Sequence, residues 1–135
     1  MQVSVSIELK GEFENLLSQV SEALKVEGFG LLTRIDFHKK IEEKLGQKIP
    51  ATIILGACHP GLAFEAVQIN PAVVNLMPCN VVFQETSPAN WKIEFALAEP
   101  LLSILSDEKL QKFAKGVDQK IKNAVEALKN KVLRI

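Results

Sequence analysis

Two stretches of this chain are apolar on one side only. Val3, Val5, Ile7 and Leu9 alternate with Ser4, Ser6, Glu8 and Lys10, and Trp91, Ile93, Phe95 and Leu97 alternate with Lys92 and Glu94. Such a period of two marks a strand with one wet face. An all-parallel sheet buries both faces of its strands, so these two segments argue against one. They restrict the chain to an α+β fold of two layers: a mostly antiparallel sheet with helices covering one face.

The intervening sequence supplies the other elements. Phe13, Leu16, Leu17, Val20 and Leu24 repeat at helical spacing, and Gly28 is placed to close that helix in the left-handed conformation. Leu31 to Ile35 reads as a strand. Asp36 is a candidate N-cap for a short helix with Phe37, Ile41 and Leu45 on one stripe, stopped by Gly46. Thr52 to Cys58 is nearly all apolar and predicts a strand buried on both faces. Pro60 suits the first position of a helix running to about Gln68. Pro71 and Pro78 bracket a short return, Cys79 to Glu85 reads as a strand, and Thr86 to Asn90 as the turn of a hairpin with the Trp91 segment. After Pro100, a short helical stretch from Leu101 to Leu105 leads to Ser106 or Asp107 as the next N-cap. The order is thus strand–helix–strand–helix–strand–helix–strand–strand–helix, with five strands.

The last helix is unusually long. Leu110, Phe113, Ala114, Val117, Ile121, Ala124, Leu128 and Val132 form one stripe. From residue 107 to 132 it would measure roughly 39 Å at the α-helical rise, against about 36 Å for the diameter of a compact domain of this size. Its apolar end therefore suggests a neighbour, and a homodimer is expected. No linker, repeat or low-complexity segment interrupts the chain, so residues 1–135 are read as a single domain.

Composition excludes several classes. The chain has 135 residues, of which 47% are apolar and 24% charged, too apolar for disorder. Two cysteines are too few for a disulfide scaffold, and no apolar run approaches the ~20 residues of a membrane span. The start, Met1 to Ser6, lacks the basic and apolar regions of a signal peptide, so a cytoplasmic location with reduced thiols is expected. Sixteen basic and sixteen acidic residues cancel, although residues 107–135 carry eight of the former and four of the latter. Those lysines form no dense patch with interleaved aromatics and suit a solvated helix face, so no nucleic-acid partner is expected.

Leu55-Gly56-Ala57-Cys58-His59-Pro60-Gly61-Leu62-Ala63 and Leu76-Met77-Pro78-Cys79-Asn80-Val81-Val82 carry a family resemblance. They resemble the Gly-Ala-Cys-Asn-Pro-x-Leu-Ala and Leu-Pro-Cys-Asn-Val segments of the domain-of-unknown-function family 302. The likeness runs from Phe13 to about Pro100, and His59 departs from it by standing where the family usually has Asn. The resemblance implies a small α+β fold and a homodimer, and no established activity.

The candidate chemistry sits in the same two segments. Cys58 precedes the start of a helix, where partial positive charge favours a thiolate, so it is the candidate catalytic nucleophile. Against that, no acid is locally placed to orient His59 as a base. Cys79 shares a sheet edge with Cys58 if the two prolines bring the chain back antiparallel, with His59 turned away from it. Cys58, His59, Pro60, Cys79 and Asn80 would then rim a small recess for a small-molecule ligand or a protein partner. A recess of this kind falls one or two ligands short of a zinc site, and neither a metal nor a cofactor is expected. Asn80 is expected to hydrogen-bond the turn, and His38 to be solvated. Three readings follow, in order: a non-catalytic dimeric binding module, a thiol-dependent enzyme or redox protein using Cys58, and a metal-binding protein.

Overall fold

The computed structural model describes residues 2–133, with side chains up to Lys131. Five strands, β1 (Ser4–Lys10), β2 (Gly30–Asp36), β3 (Thr52–Cys58), β4 (Cys79–Ser87) and β5 (Asn90–Ala96), form one sheet in the order β1-β5-β4-β3-β2. All four pairings are antiparallel. The alternating segments at the two ends of the chain pair with each other: Ile7 lies opposite Ile93 and Leu9 opposite Trp91. Ile7, Leu9, Trp91, Ile93 and Phe95, with Ile53 and Leu55 of β3 and Val81 and Phe83 of β4, form the inner face of the sheet and are buried, whereas Val3, ahead of β1, is exposed and Val5 half-buried.

Helices α1 (Phe13–Val26), α3 (Pro60–Ile69), α4 (Ala98–Leu102) and α5 (Glu108–Leu133) make the second layer, with α5 packed on the other three and on β1. Helix α1 ends as its sequence requires. The Phe29 N–H reaches the Leu24 carbonyl and Gly28 takes a φ of 92°, a conformation costly for any residue with a Cβ. Asp107 caps α5 by accepting the Leu110 N–H at 3.1 Å, and its other oxygen takes a hydrogen bond from the Asn70 side chain at 3.2 Å. Asn70 in turn caps a 3₁₀ turn over Pro71–Leu76. One polar link therefore joins the end of α3 to the start of α5.

Several expectations are corrected. The β3 run is buried on its inner face alone: Ile53, Leu55 and Ala57 are covered, while Thr52 and Ile54 are half-exposed. Gly56 is the exception, shielded on the outer face by Thr33 and Pro78, whose side chains a Cβ there would strike. Asp36 stands at the start of α2 (Phe37–Leu45) and makes no capping bond. Its carboxylate is held instead by Arg34 at 2.9 Å, which keeps its pKa below the usual range. The α2 stripe buries none of its residues, and Leu45 is 67% exposed. His38 is not simply solvated, because its Nδ1 accepts the Thr52 N–H at 2.9 Å and ties α2 to the start of β3. Finally, the α5 stripe finds its cover within the chain. Leu110, Ile121, Ala124 and Leu128 are all buried, so the stripe needs no neighbour as far as Leu128. The side chain of Val132, the last member of the stripe, lies outside the described residues.

Candidate functional site

The paired ends of β3 and β4 place the two cysteines. Antiparallel pairing sets Ala57 opposite Cys79, and Cys58, one residue further, opposite Gly30 of β2. The thiols are thus one register step apart across the ladder, on positions of opposite parity. Side chains alternate between faces along a strand, and a disulfide needs Cβ vectors that converge. Both cysteines are free and half-buried.

Between this end of the sheet and the helices lies a cavity of about 60 Å³. Helix α3 contributes Leu62, Ala63 and Ala66, the 3₁₀ turn Val73 and Leu76, and α5 Phe113 and Val117. Phe29, Met77, Leu101 and Leu102 also line it. Only Cys58, His59 and Cys79 bring heteroatoms other than the Met77 thioether into this apolar lining.

His59 is placed by its own helix. It is the N-cap of α3, and its Nδ1 accepts the Leu62 N–H at 3.2 Å. That bond fixes Nε2 as the protonated nitrogen of the neutral ring. The ring stands edge-on to Phe29, with centroids 5.4 Å apart, and Nε2 lies against Gly28, where a Cβ would come within 2.5 Å of it. His59 therefore faces the α1–β2 turn. Pro60 takes the first position of α3 and is exposed, apart from the cavity.

Asn80 departs from its expected role. It sits inside β4 opposite Gly56, exposed, rather than in a turn. Being next to Cys79, it has the opposite parity and lines a second, outer depression instead of the cavity. Of the five residues singled out from the sequence, Cys58, His59 and Cys79 meet at the cavity, whereas Pro60 and Asn80 do not.

The group that sequence reasoning missed is Asp118. It is buried at 5% exposure, and its carboxylate accepts the N–H groups of Ala98 at 2.5 Å and Glu99 at 2.9 Å, satisfying the start of α4. Burial raises its pKa above the ordinary carboxylate range, against the pull of the two N–H donors. A signal was present: residue 118 lies four after Ala114 and three before Ile121, on the buried side of the α5 stripe. Asp118 also acts on Cys79. Burial, reinforced by the Asp118 carboxylate and by Cys58, pushes the Cys79 thiol up to about 11. Cys79 is consequently a neutral thiol at physiological pH. Among the described residues no three His, Cys, Asp or Glu side chains converge on a common centre. Nor is any helix among them long and apolar enough to cross a membrane.

Comparisons with known proteins add a family and a fold. The family model described as Domain of unknown function DUF302 matches residues 5–128. The crystal structure of an uncharacterized conserved DUF302 protein from Bacillus stearothermophilus superposes with a TM-score of 0.84. It is 22% identical, and the alignment covers 93% of this chain and 98% of that one. No curated protein matches.

Proposed function

The chain belongs to the DUF302 family, and from that premise we propose that it acts as a cytoplasmic, homodimeric binding module, holding a small molecule at the cavity beside Cys58 and Cys79. The observation that carries this reading is the cavity itself: a partly open space of about 60 Å³, lined by apolar side chains with few polar groups, a lining of the kind small-molecule sites use. The chemistry at its wall favours binding over catalysis. An activated nucleophile needs a base within reach and a third group to orient it. Here the His59 Nδ1 is engaged in capping α3, and Cys79 keeps its proton.

Xenon is a direct probe, since it enters dry apolar cavities without needing polar contacts. Under xenon pressure, saturable shifts of the Leu62, Val73 and Leu102 methyl resonances are expected, and Ala66→Leu, which fills the space, should abolish them. A wild-type protein with no saturable shift would remove the cavity reading. For the dimer, support comes from the β2–β3 side of the sheet's outer face, where neither Ile35 nor Ile54 is buried. Sedimentation equilibrium should give twice the mass of one chain. A single species of 14.9 kDa at micromolar concentration would exclude the dimer.

A further inference from the structure

The wall of the cavity nearest the cis Met77–Pro78 peptide is thin. Leu76, Met77, Pro78 and Leu101 line the inner cavity and also an open groove of about 650 Å³ on the outer side. The floor of that groove is the outer face of the sheet, with Asn80 and Val82 from β4 and Glu94 and Ala96 from β5. Val3 and Ile104 stand at its rim, each 69% exposed. Its volume falls within the range of roughly 300–1,000 Å³ common to small-molecule sites, and its lining is mostly apolar with a few polar groups.

The polar groups are Ser4, Asn75, Asn80 and Glu94, and Glu94 is the one charge among them. Glu94 is already oriented. Ser4 Oγ donates to its Oε2 at 2.8 Å, while among the described residues the nearest cation, Lys92 Nζ, stands 3.9 Å from Oε1, beyond hydrogen-bond range. Oε1 therefore keeps room for a closer donor.

We infer that the groove takes a small amphipathic amine, its ammonium group on Glu94 and Asn80 and its alkyl chain along Val82 toward the Met77–Leu101 wall. An ammonium group would gain a charge-assisted hydrogen bond there. Among the described residues the lining holds no cation, so a carboxylate or phosphate head would meet Glu94 with none of them to offset it. The flexible thioether of Met77 is suited to yield to an alkyl chain, opening a path from groove to cavity. This inference deepens the binding reading above by naming the chemistry of the ligand, and rests on it for the inner end of the chain alone.

The test is a titration of the full chain with n-hexylamine, n-hexanol and hexanoate at neutral pH, followed by amide NMR. Hexylamine should bind about tenfold more tightly than hexanoate, as expected for one charge-assisted contact, with shifts concentrated at residues 75–82 and 94–96. Glu94→Gln should reduce that preference to about threefold or less. Glu94→Asp, which keeps the charge, should retain it. Glu94 lies on the wet face of β5, partly exposed, so both variants are expected to fold. Hexanoate binding as tightly as hexylamine, an amine preference that survives Glu94→Gln, or shifts confined to other surfaces would each overturn the inference. Xenon in the same samples separates the two ideas. Saturable xenon binding without an amine preference leaves the cavity standing and sinks the amine, and the converse removes the cavity and leaves the groove.

Discussion

Cys79 behaves as it does because of what surrounds it, and the effect has a measurable sign. Its folded-state pKa of about 11 lies above the ordinary 9.0, so between those values the folded chain keeps a proton that the unfolded chain releases. The corresponding stability is fully present below pH 9 and is lost as pH rises through 11. The loss should be roughly 2–3 kcal/mol. Urea unfolding across that window should show the wild type losing this much more than Cys79→Ala, and parallel curves for the two proteins would refute the shift. Individual residues were the least legible part of the sequence. Asp36 has the composition of an N-cap, but a neighbouring guanidinium outcompeted the backbone for its carboxylate. Asn80 sits beside Cys79 in sequence, yet strand alternation sends the two to opposite faces, and parity depends on where the strand begins. Asp118 reads in the sequence as one more charge on an amphipathic helix, and its burial depends on the start of α4, distant in sequence, lying against it.

Elements were read more reliably, because hydrophobic period and punctuation are local. All five strands, the Gly28 closure of α1 and the Pro60 start of α3 lie where the spacing predicts them. What period cannot show is which stripes find a partner. The stripe of α2 is as amphipathic as that of α1, but only the latter is buried. A polar contact does part of the work of holding α2: the Thr52 N–H on His38 Nδ1. Removing the acceptor with His38→Ala should cost about 1 kcal/mol, the penalty of an amide left without its partner. Hydrogen exchange is the specific readout. The Thr52 amide should exchange faster in the variant while those of Ile53 and Leu55 stay protected, and an unchanged Thr52 rate would show that the tether is idle.

At the scale of the whole molecule, length arithmetic overstated the reach of α5. The helix is as long as expected, but it runs beside α1, α3, α4 and β1, and its described stripe is buried apart from the half-buried Phe113. Leu128, 2% exposed, is thus a core residue of its own chain. Leu128→Ala should destabilise the fold by about 2–4 kcal/mol, in the range for buried leucines, with no change in the mass seen by sedimentation. A shift in association state with little loss of stability would instead make the end of α5 an interface. The strand order carries a further consequence, for the order of synthesis. Strand β1 has a single sheet neighbour, β5, some eighty residues later in the chain. As the chain leaves the ribosome, Val5, Ile7 and Leu9 emerge early and wait, unpaired, until Ile93 and Phe95 have been made. Long-range pairing of this kind slows folding and leaves a sticky strand exposed meanwhile. Its serines and charges, Ser4, Ser6, Glu8 and Lys10, keep one side of that waiting strand wet, which guards the nascent chain against premature association as much as it shapes the finished sheet.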